Sequence, residues 1–140
     1  MFVTTEDTGT VSARNGHSRC LICGRLNPRS LNLSFQVKED GGVETEFSPS
    51  PELQGYQGVL HGGVIASLLD AAMTHCLFHN DIKAVTGDLH VRYVHPIPCE
   101  APLHIHAEIT TAYSPLYCLE SEIISDQVVM ARAKVKFMRQ

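Results

Sequence analysis

The residues best suited to chemistry lie in one short run, 54–70, which combines glycines, a histidine and an acid. Its four glycines, at 55, 58, 62 and 63, let the backbone turn sharply and come close to a ligand. His61 and the last two glycines lead into an apolar segment that predicts a helix. The first turn of a helix has backbone N–H groups without partners, and the helix dipole makes this end positive. The run therefore predicts a site that stabilises an oxyanion, either a phosphate or a tetrahedral intermediate.

Asp70 lies about two turns into this predicted helix, Gly62–His79, which is apolar almost all round. A carboxylate there costs stability unless another group satisfies it or the protein uses it. Ser67 and Thr74 share its helical face, so Asp70 is either an acid that is hydrogen-bonded to these hydroxyls or a reacting group. The glycine-rich entry favours the reacting group. His61 also has two interpretations, a cap that orients the loop or a catalytic residue.

The elements that must position this run are strands. Strict alternation predicts a half-buried strand over 31–38, a hairpin turn at Asp40-Gly41-Gly42 and a returning strand over Val43–Phe47. Four more strand-like segments follow the helix, at 84–95, 103–113, 116–125 and 128–138. One helix cannot provide the crossovers of a parallel sheet. We therefore predict an α+β domain in which a curved antiparallel sheet of about six strands wraps a long central helix.

Size and charge limit the function classes. The 140 residues fit a flexible N-terminal arm, 1–19, followed by a single domain, 20–140. A net charge of -4 argues against a nucleic-acid partner. No signal-peptide pattern or long apolar run occurs, so we expect no membrane segment and a cytoplasmic location. Long alternating strands bury only one sheet face in a monomer, so we expect an oligomer.

The five cysteines, an odd number without a signal peptide, favour free thiols over disulfides. Cys20-x-x-Cys23 is a lone pair. His17 is a candidate third ligand, but a structural zinc site needs four ligands and the sequence offers no convincing fourth. We therefore expect no metal and no cofactor.

Together, residues 54–70, the stretch 86–96 and the upstream Cys20-x-x-Cys23-Gly24-x-x-Asn27-Pro28 resemble the PaaI-like acyl-CoA thioesterases of the hotdog superfamily. The resemblance covers roughly residues 20–138. It implies a hotdog fold, an acyl-CoA substrate and a homodimer whose sheets join side by side, often doubled to a tetramer. Active sites in such proteins lie at the subunit interface.

Carried over by position, Asp70 matches the nucleophile or general base of this family. The Gly62 N–H, alone or with that of Gly63, matches the group that polarises the thioester carbonyl. Thr86 stands where some relatives have a hydroxyl residue, from the partner subunit, that helps to position water. One departure is that Gly55 stands where several relatives have an asparagine, and Gln54 is the candidate to replace that amide.

The remaining candidates would bind substrate. We assign Ser67 to the surroundings of the acid, Met73 to the border of an apolar acyl channel, and Arg92 to the phosphates of coenzyme A. Two alternatives stay open. A non-catalytic acyl-CoA binding or sensing domain would not need Asp70, and an enoyl-CoA hydratase or dehydratase usually has its histidine and acid farther apart than His61 and Asp70.

Overall fold

The structure, a computed structural model, describes residues 9–12 and 16–140. Its long helix, α1, spans Gly62–His79 as the sequence predicts. Ten of its side chains are buried, because it is covered on more than one side. The helix ends where Asn80 donates from its side chain to the Cys76 carbonyl at 2.7 Å and where Asp81 adopts a positive φ of 59°. No helix in the described part of the chain is long and apolar enough to cross a bilayer.

Six strands form one antiparallel sheet beside α1. Their bounds are β1 Gln36–Val37, β2 Val43–Phe47, β3 Ala84–Tyr93, β4 Leu103–Tyr113, β5 Leu116–Ser125 and β6 Val128–Arg139. The order across the sheet is β1-β2-β4-β5-β6-β3, so β3, which directly follows the helix, lies at one edge beside β6. Within the described residues the architecture is the predicted one, one long helix against an antiparallel sheet of six strands.

Alternation along the strands decides which side chains face the helix. Ile105 and Ala107 of β4 are buried in the core, whereas His104 and His106 point to the outer face and pair with glutamates of neighbouring strands. The turn between β5 and β6 is formed by Asp126 and Gln127, whose φ angles of 50° and 65° fit a tight hairpin turn. Its two residues fill the gap between the strands predicted over 116–125 and 128–138.

The predicted strand over 31–38 is wrong for most of its length, since only Gln36–Val37 pairs as a strand. Asn32 has a positive φ of 54°, which breaks the extended conformation that alternation alone implies. The segment is held by loop contacts instead, because the Leu31 and Leu33 N–H groups donate to the carbonyls of Leu21 and Ile22, each at 3.0 Å. The apolar face is nevertheless buried, because Leu33 and Phe35 belong to the core.

Part of the predicted flexible arm, 1–19, makes contacts with the rest of the chain where it is described. Thr10 forms a β-bridge with Gln36, and Val11 is buried and donates its N–H to the Phe35 carbonyl at 2.8 Å. A short 3-10 turn spans His17–Arg19. Residues 1–8 and 13–15 lie outside the described part of the chain.

Candidate active site

The loop before α1 is closed by its own hydrogen bonds. Gln54 forms a bridge with Leu60, and its side-chain oxygen accepts from the Gly58 N–H at 2.9 Å. Gly58 has a positive φ of 78°, a conformation that glycine adopts without strain. The Gln54 amide oxygen therefore holds the loop in place.

His61 is the N-cap of α1. Its Nδ1 accepts from the Gly63 N–H at 2.8 Å, so the structure shows the capping role that was one of its two interpretations. Because the Gly63 N–H is engaged in this bond, it is not free to bind an oxyanion. Gly62, at the first position of the helix, has an N–H that no intrahelical carbonyl can accept. Of the two predicted donors, Gly62 is therefore the better placed.

Tyr93 joins the end of β3 to the first turn of α1. Its hydroxyl donates to the Gly62 carbonyl at 2.9 Å. Tyr93 lies in the stretch 86–96 that carries part of the family resemblance. The sequence gives no sign of this bond, because the two residues are 31 positions apart. The bond fixes the glycine turn against the edge of the sheet.

Asp70 is half-buried and its Oδ1 accepts from the Thr86 hydroxyl at 2.9 Å. Thr86 belongs to the same chain as Asp70 and stands on β3 at a register irregularity between Thr86 and Asp88. The predicted partner Ser67 is engaged elsewhere, since its hydroxyl donates to the Gly63 carbonyl at 2.9 Å. Strand β3 thus supplies a hydroxyl partner of Asp70, where we expected Ser67 or Thr74 of the helix.

Burial raises the pKa of Asp70 above its ordinary value, because desolvation disfavours the charged carboxylate. The hydrogen bond from Thr86 and the nearby His17 act in the opposite direction without cancelling this effect. A carboxyl with a raised pKa beside a cavity is suited to accept a proton from water.

A cavity of about 110 Å³ lies between α1 and the N-terminal segment. Asp70, Thr74 and His75 line it from the helix, and His17, Cys20 and Cys23 line it from the segment. Burial lowers the pKa of His75 to about 4, so its ring is neutral. Burial, with Cys20 beside it, raises the pKa of the Cys23 thiol to about 12. Sequence reasoning did not connect these residues to Asp70.

A second cavity, of about 280 Å³, opens beside the first turn of the helix. Leu21, Leu31 and Leu53 line it with Val64, and His61, Gly63 and Arg29 also border it. Its apolar walls suit an acyl group near the glycine turn. Met73, which we expected to border such a channel, is instead fully buried in the core.

Arg92 lies on the outer face of the sheet, away from α1. It lines a depression of about 370 Å³ together with Arg132, Lys134 and the acidic Glu120 and Glu122. The structure therefore brings together Asp70, Thr86 and Ser67 on one side of α1, and it does not bring Arg92 or Met73 to them.

Comparisons with known proteins bear on the family and the fold of this chain. A family model described as the thioesterase superfamily matches residues 57–131, more than half of the chain. The acyl-coenzyme A thioesterase THEM4 of Rattus norvegicus is 29% identical over 75 residues, which cover 54% of this chain and 32% of that protein. The chain spans less than half the length of the curated relatives that it matches.

Several solved structures share the fold. A thioesterase superfamily protein superposes with a TM-score of 0.79 at 24% identity, covering 84% of this chain and 61% of that one. The PaaI protein of the E. coli phenylacetic acid degradation operon gives 0.70 at 18% identity, covering 75% and 81%. A hypothetical thioesterase from Streptococcus pneumoniae TIGR4, solved with coenzyme A, gives 0.71 at 17% identity, covering 76% and 84%. These likenesses confirm the predicted hotdog fold.

Proposed function

This chain belongs to the thioesterase superfamily, and we propose that it hydrolyses an acyl-CoA thioester to the free acid and coenzyme A. The observation that carries the proposal is the Asp70 carboxylate, half-buried beside a cavity and held by the Thr86 hydroxyl. The named activity of the rat relative and the coenzyme A bound to the pneumococcal structure support the substrate class.

The proposed reaction begins with the thioester carbonyl hydrogen-bonded to the Gly62 N–H. A water attacks the carbonyl carbon while Asp70 takes its proton, and the oxyanion forms at the helix N-terminus. The carbon–sulfur bond then breaks, the free acid forms, and the thiolate of coenzyme A leaves and regains a proton. In the alternative route Asp70 attacks directly, forming an anhydride that water hydrolyses. Both routes use the same two groups.

The spacing of these two groups supports a site shared between two copies of the chain. Gly62 and Asp70 are eight positions apart on one helix, which is about 12 Å along its axis. A hydrogen-bonded carbonyl and an attacking water lie within about 3 Å of their respective partners. The proposal therefore has Gly62 of one protomer and Asp70 of another act on the same carbonyl, in a homodimer or a dimer of dimers.

Other parts of the proposal follow from position. The apolar cavity beside His61 and Val64 is the proposed acyl pocket. Ser67, whose hydroxyl is bound to the Gly63 carbonyl, lines both this cavity and the one at Asp70. Contact of Arg92 with the coenzyme phosphates and a cytoplasmic location stay predictions.

The test is a panel of acyl-CoA esters assayed by thiol release, with Asp70→Asn beside the wild type. We expect a loss of about a thousandfold in turnover, on the scale of other catalytic deletions. Asp126→Asn, on an exposed turn with a backbone that asparagine tolerates, is the matched control and should keep full activity. Unchanged turnover in Asp70→Asn would reject Asp70. Hydration of an enoyl-CoA would favour a lyase, and tight acyl-CoA binding without turnover would favour a sensing domain.

A complementation experiment tests the shared site. Gly62→Pro removes the N–H while proline suits the first helical position, and the extended backbone of His61 suits a residue before proline. Each variant alone should be inactive. Random mixing of Gly62→Pro with Asp70→Asn should restore about a quarter of wild-type activity, because half of the dimers carry one intact site. No restoration would mean that both groups act within one chain.

A further inference from the structure

The N-terminal segment brings three metal-binding side chains together. The donor atoms of His17, Cys20 and Cys23 all lie within 4.8 Å of one another. The Cys23 sulfur is 3.7 Å from Nδ1 of His17. Tetrahedral zinc, with bonds of about 2.3 Å to sulfur and about 2.0 Å to nitrogen, sets neighbouring ligand atoms roughly 3.5 to 3.8 Å apart. The Cys23 and His17 donors therefore already have the spacing of a zinc site, and no other pair in the cluster needs to close by more than about 1 Å to reach it.

The backbone around Cys20 holds the cysteines in place. The Ile22 N–H is directed at the Cys20 sulfur at 3.3 Å, and the Gly24 N–H donates to the Cys20 carbonyl at 2.8 Å. A side chain at Gly24 would bring its Cβ within 2.3 Å of the Cys20 nitrogen, so this turn requires glycine. The Cys20 N–H in turn donates to the His17 carbonyl at 3.0 Å, which ties the histidine to the same turn.

A fourth candidate donor lies on α1. The His75 side chain lines the same cavity of about 110 Å³ and is only 2% exposed. Neither of its ring nitrogens has a hydrogen-bond partner among the described residues, although buried polar atoms are normally paired. Its ring packs between Phe35 and Phe78, with centroid distances of 4.8 and 5.0 Å, so its neighbours there are apolar. A metal ion would satisfy one of these nitrogens.

We propose that His17, Cys20 and Cys23 bind a zinc ion and that His75 supplies the fourth ligand. The set of two thiolates and two imidazoles is one that structural zinc sites use. Binding replaces the proton of each thiol, so two protons leave as one zinc ion enters, without oxidation or reduction. The ion joins the N-terminal segment to α1 on the side where Asp70 lies. This proposal replaces our expectation of free thiols without metal, and it is independent of the thioesterase reaction.

The test measures metal directly on the full chain, purified under reducing conditions. After treatment with a chelator, we expect the wild type to take up one zinc ion per chain in competition with a chromophoric chelator. Cobalt in place of zinc should show thiolate-to-metal charge-transfer bands and the strong visible bands of tetrahedral coordination. A wild type that binds no zinc, or that binds cobalt without thiolate bands, would overturn the proposal whether or not the protein hydrolyses acyl-CoA.

Variants assign the ligands. Cys20→Ser combined with Cys23→Ser should abolish zinc uptake, whereas Cys118→Ser on β5, outside the cluster, should leave it unchanged. His75→Leu should weaken zinc binding by at least about 10- to 100-fold, the loss that removal of an outer-shell partner of a ligand causes, while the cobalt thiolate bands remain. Wild-type affinity in the double cysteine variant would overturn the site, and wild-type affinity in His75→Leu would overturn the assignment of the fourth ligand.

Discussion

Two faces of α1 carry side chains at the same helical spacing, but one face packs in the core and the other carries the polar groups. One stripe, which includes Leu68, Leu69 and Ala72, is fully buried in the core, and the Leu69 carbonyl accepts from Ser121 of β5 at 3.3 Å. The other stripe turns to the N-terminal segment and carries a serine, an acid, a threonine and a histidine at 67, 70, 74 and 75. Both repeat every three or four residues.

The difference shows how a helix that is apolar almost all round can hold a reactive group. Packing against the sheet supplies the stability, because apolar area is removed from water there. The face toward the segment loses stability by burying a carboxylate and an unpartnered imidazole. Because burial of these polar groups lowers the stability of the fold, we expect the function to lie on this face of the helix.

The largest effect should come from the sheet-facing stripe. Leu69→Ala removes a side chain with no exposed surface and leaves a cavity in the core, which should lower the free energy of unfolding by about 2–5 kcal/mol. Leu26→Ala, at a leucine that is 59% exposed, is the control and should change stability little. Denaturant unfolding measures both. A loss in the free energy of unfolding below about 1 kcal/mol in Leu69→Ala would contradict the inference that the sheet-facing stripe supplies most of the stability of the helix.

A smaller effect, on activity, should come from the hydroxyl that holds Asp70. Thr86→Val keeps the shape of the side chain and removes a hydrogen bond to a charged group, which should lower kcat/KM by about tenfold near neutral pH. The bond lowers the pKa of Asp70, so its loss should move the acidic limb of the pH–activity profile to higher pH. Thr86→Ser should keep the wild-type profile. An unmoved limb in Thr86→Val would mean that the bond does not tune Asp70.

The smallest effect should appear in stability as a function of pH. The pKa of Asp70 is raised in the folded state, so the folded chain holds this proton more tightly than the unfolded chain. As pH rises from the ordinary pKa of aspartate through the raised value, the wild type loses stability that Asp70→Asn does not lose. Thermal unfolding between about pH 4 and about pH 8 should show that the stability of the variant, relative to that of the wild type, rises as the pH increases. A constant difference across this range, after comparison with Asp126→Asn, would contradict the raised pKa.

Much of the fold could be predicted, because periodicity is a local property. The bounds of α1, β2, β4 and β5 agree with the sequence pattern, and β3 and β6 differ only at one end. The failure over 31–38 has a local cause that alternation does not reveal, the left-handed backbone of Asn32. Burial of that segment was still predicted, because alternation reports which face is apolar even where the strand does not form.

The site was predictable only in part. The run at 54–70 indicates a helix N-terminus and an acid, and the capping role of His61 is one of the two that its position suggests. The bonds from Thr86 to Asp70 and from Tyr93 to Gly62 join residues 16 and 31 positions apart. Their formation depends on the register of β3 at the sheet edge, which no local pattern specifies.

By itself, the sequence determined the helix, most of the strands and the position of one acid inside an apolar segment, because side chains that repeat at helical or strand spacing report their own burial. Only the tertiary structure decided what surrounds that acid. It placed Thr86 against Asp70 and set His75 opposite His17, Cys20 and Cys23, because contacts between distant segments follow from how the helix, the sheet edge and the N-terminal turn pack together.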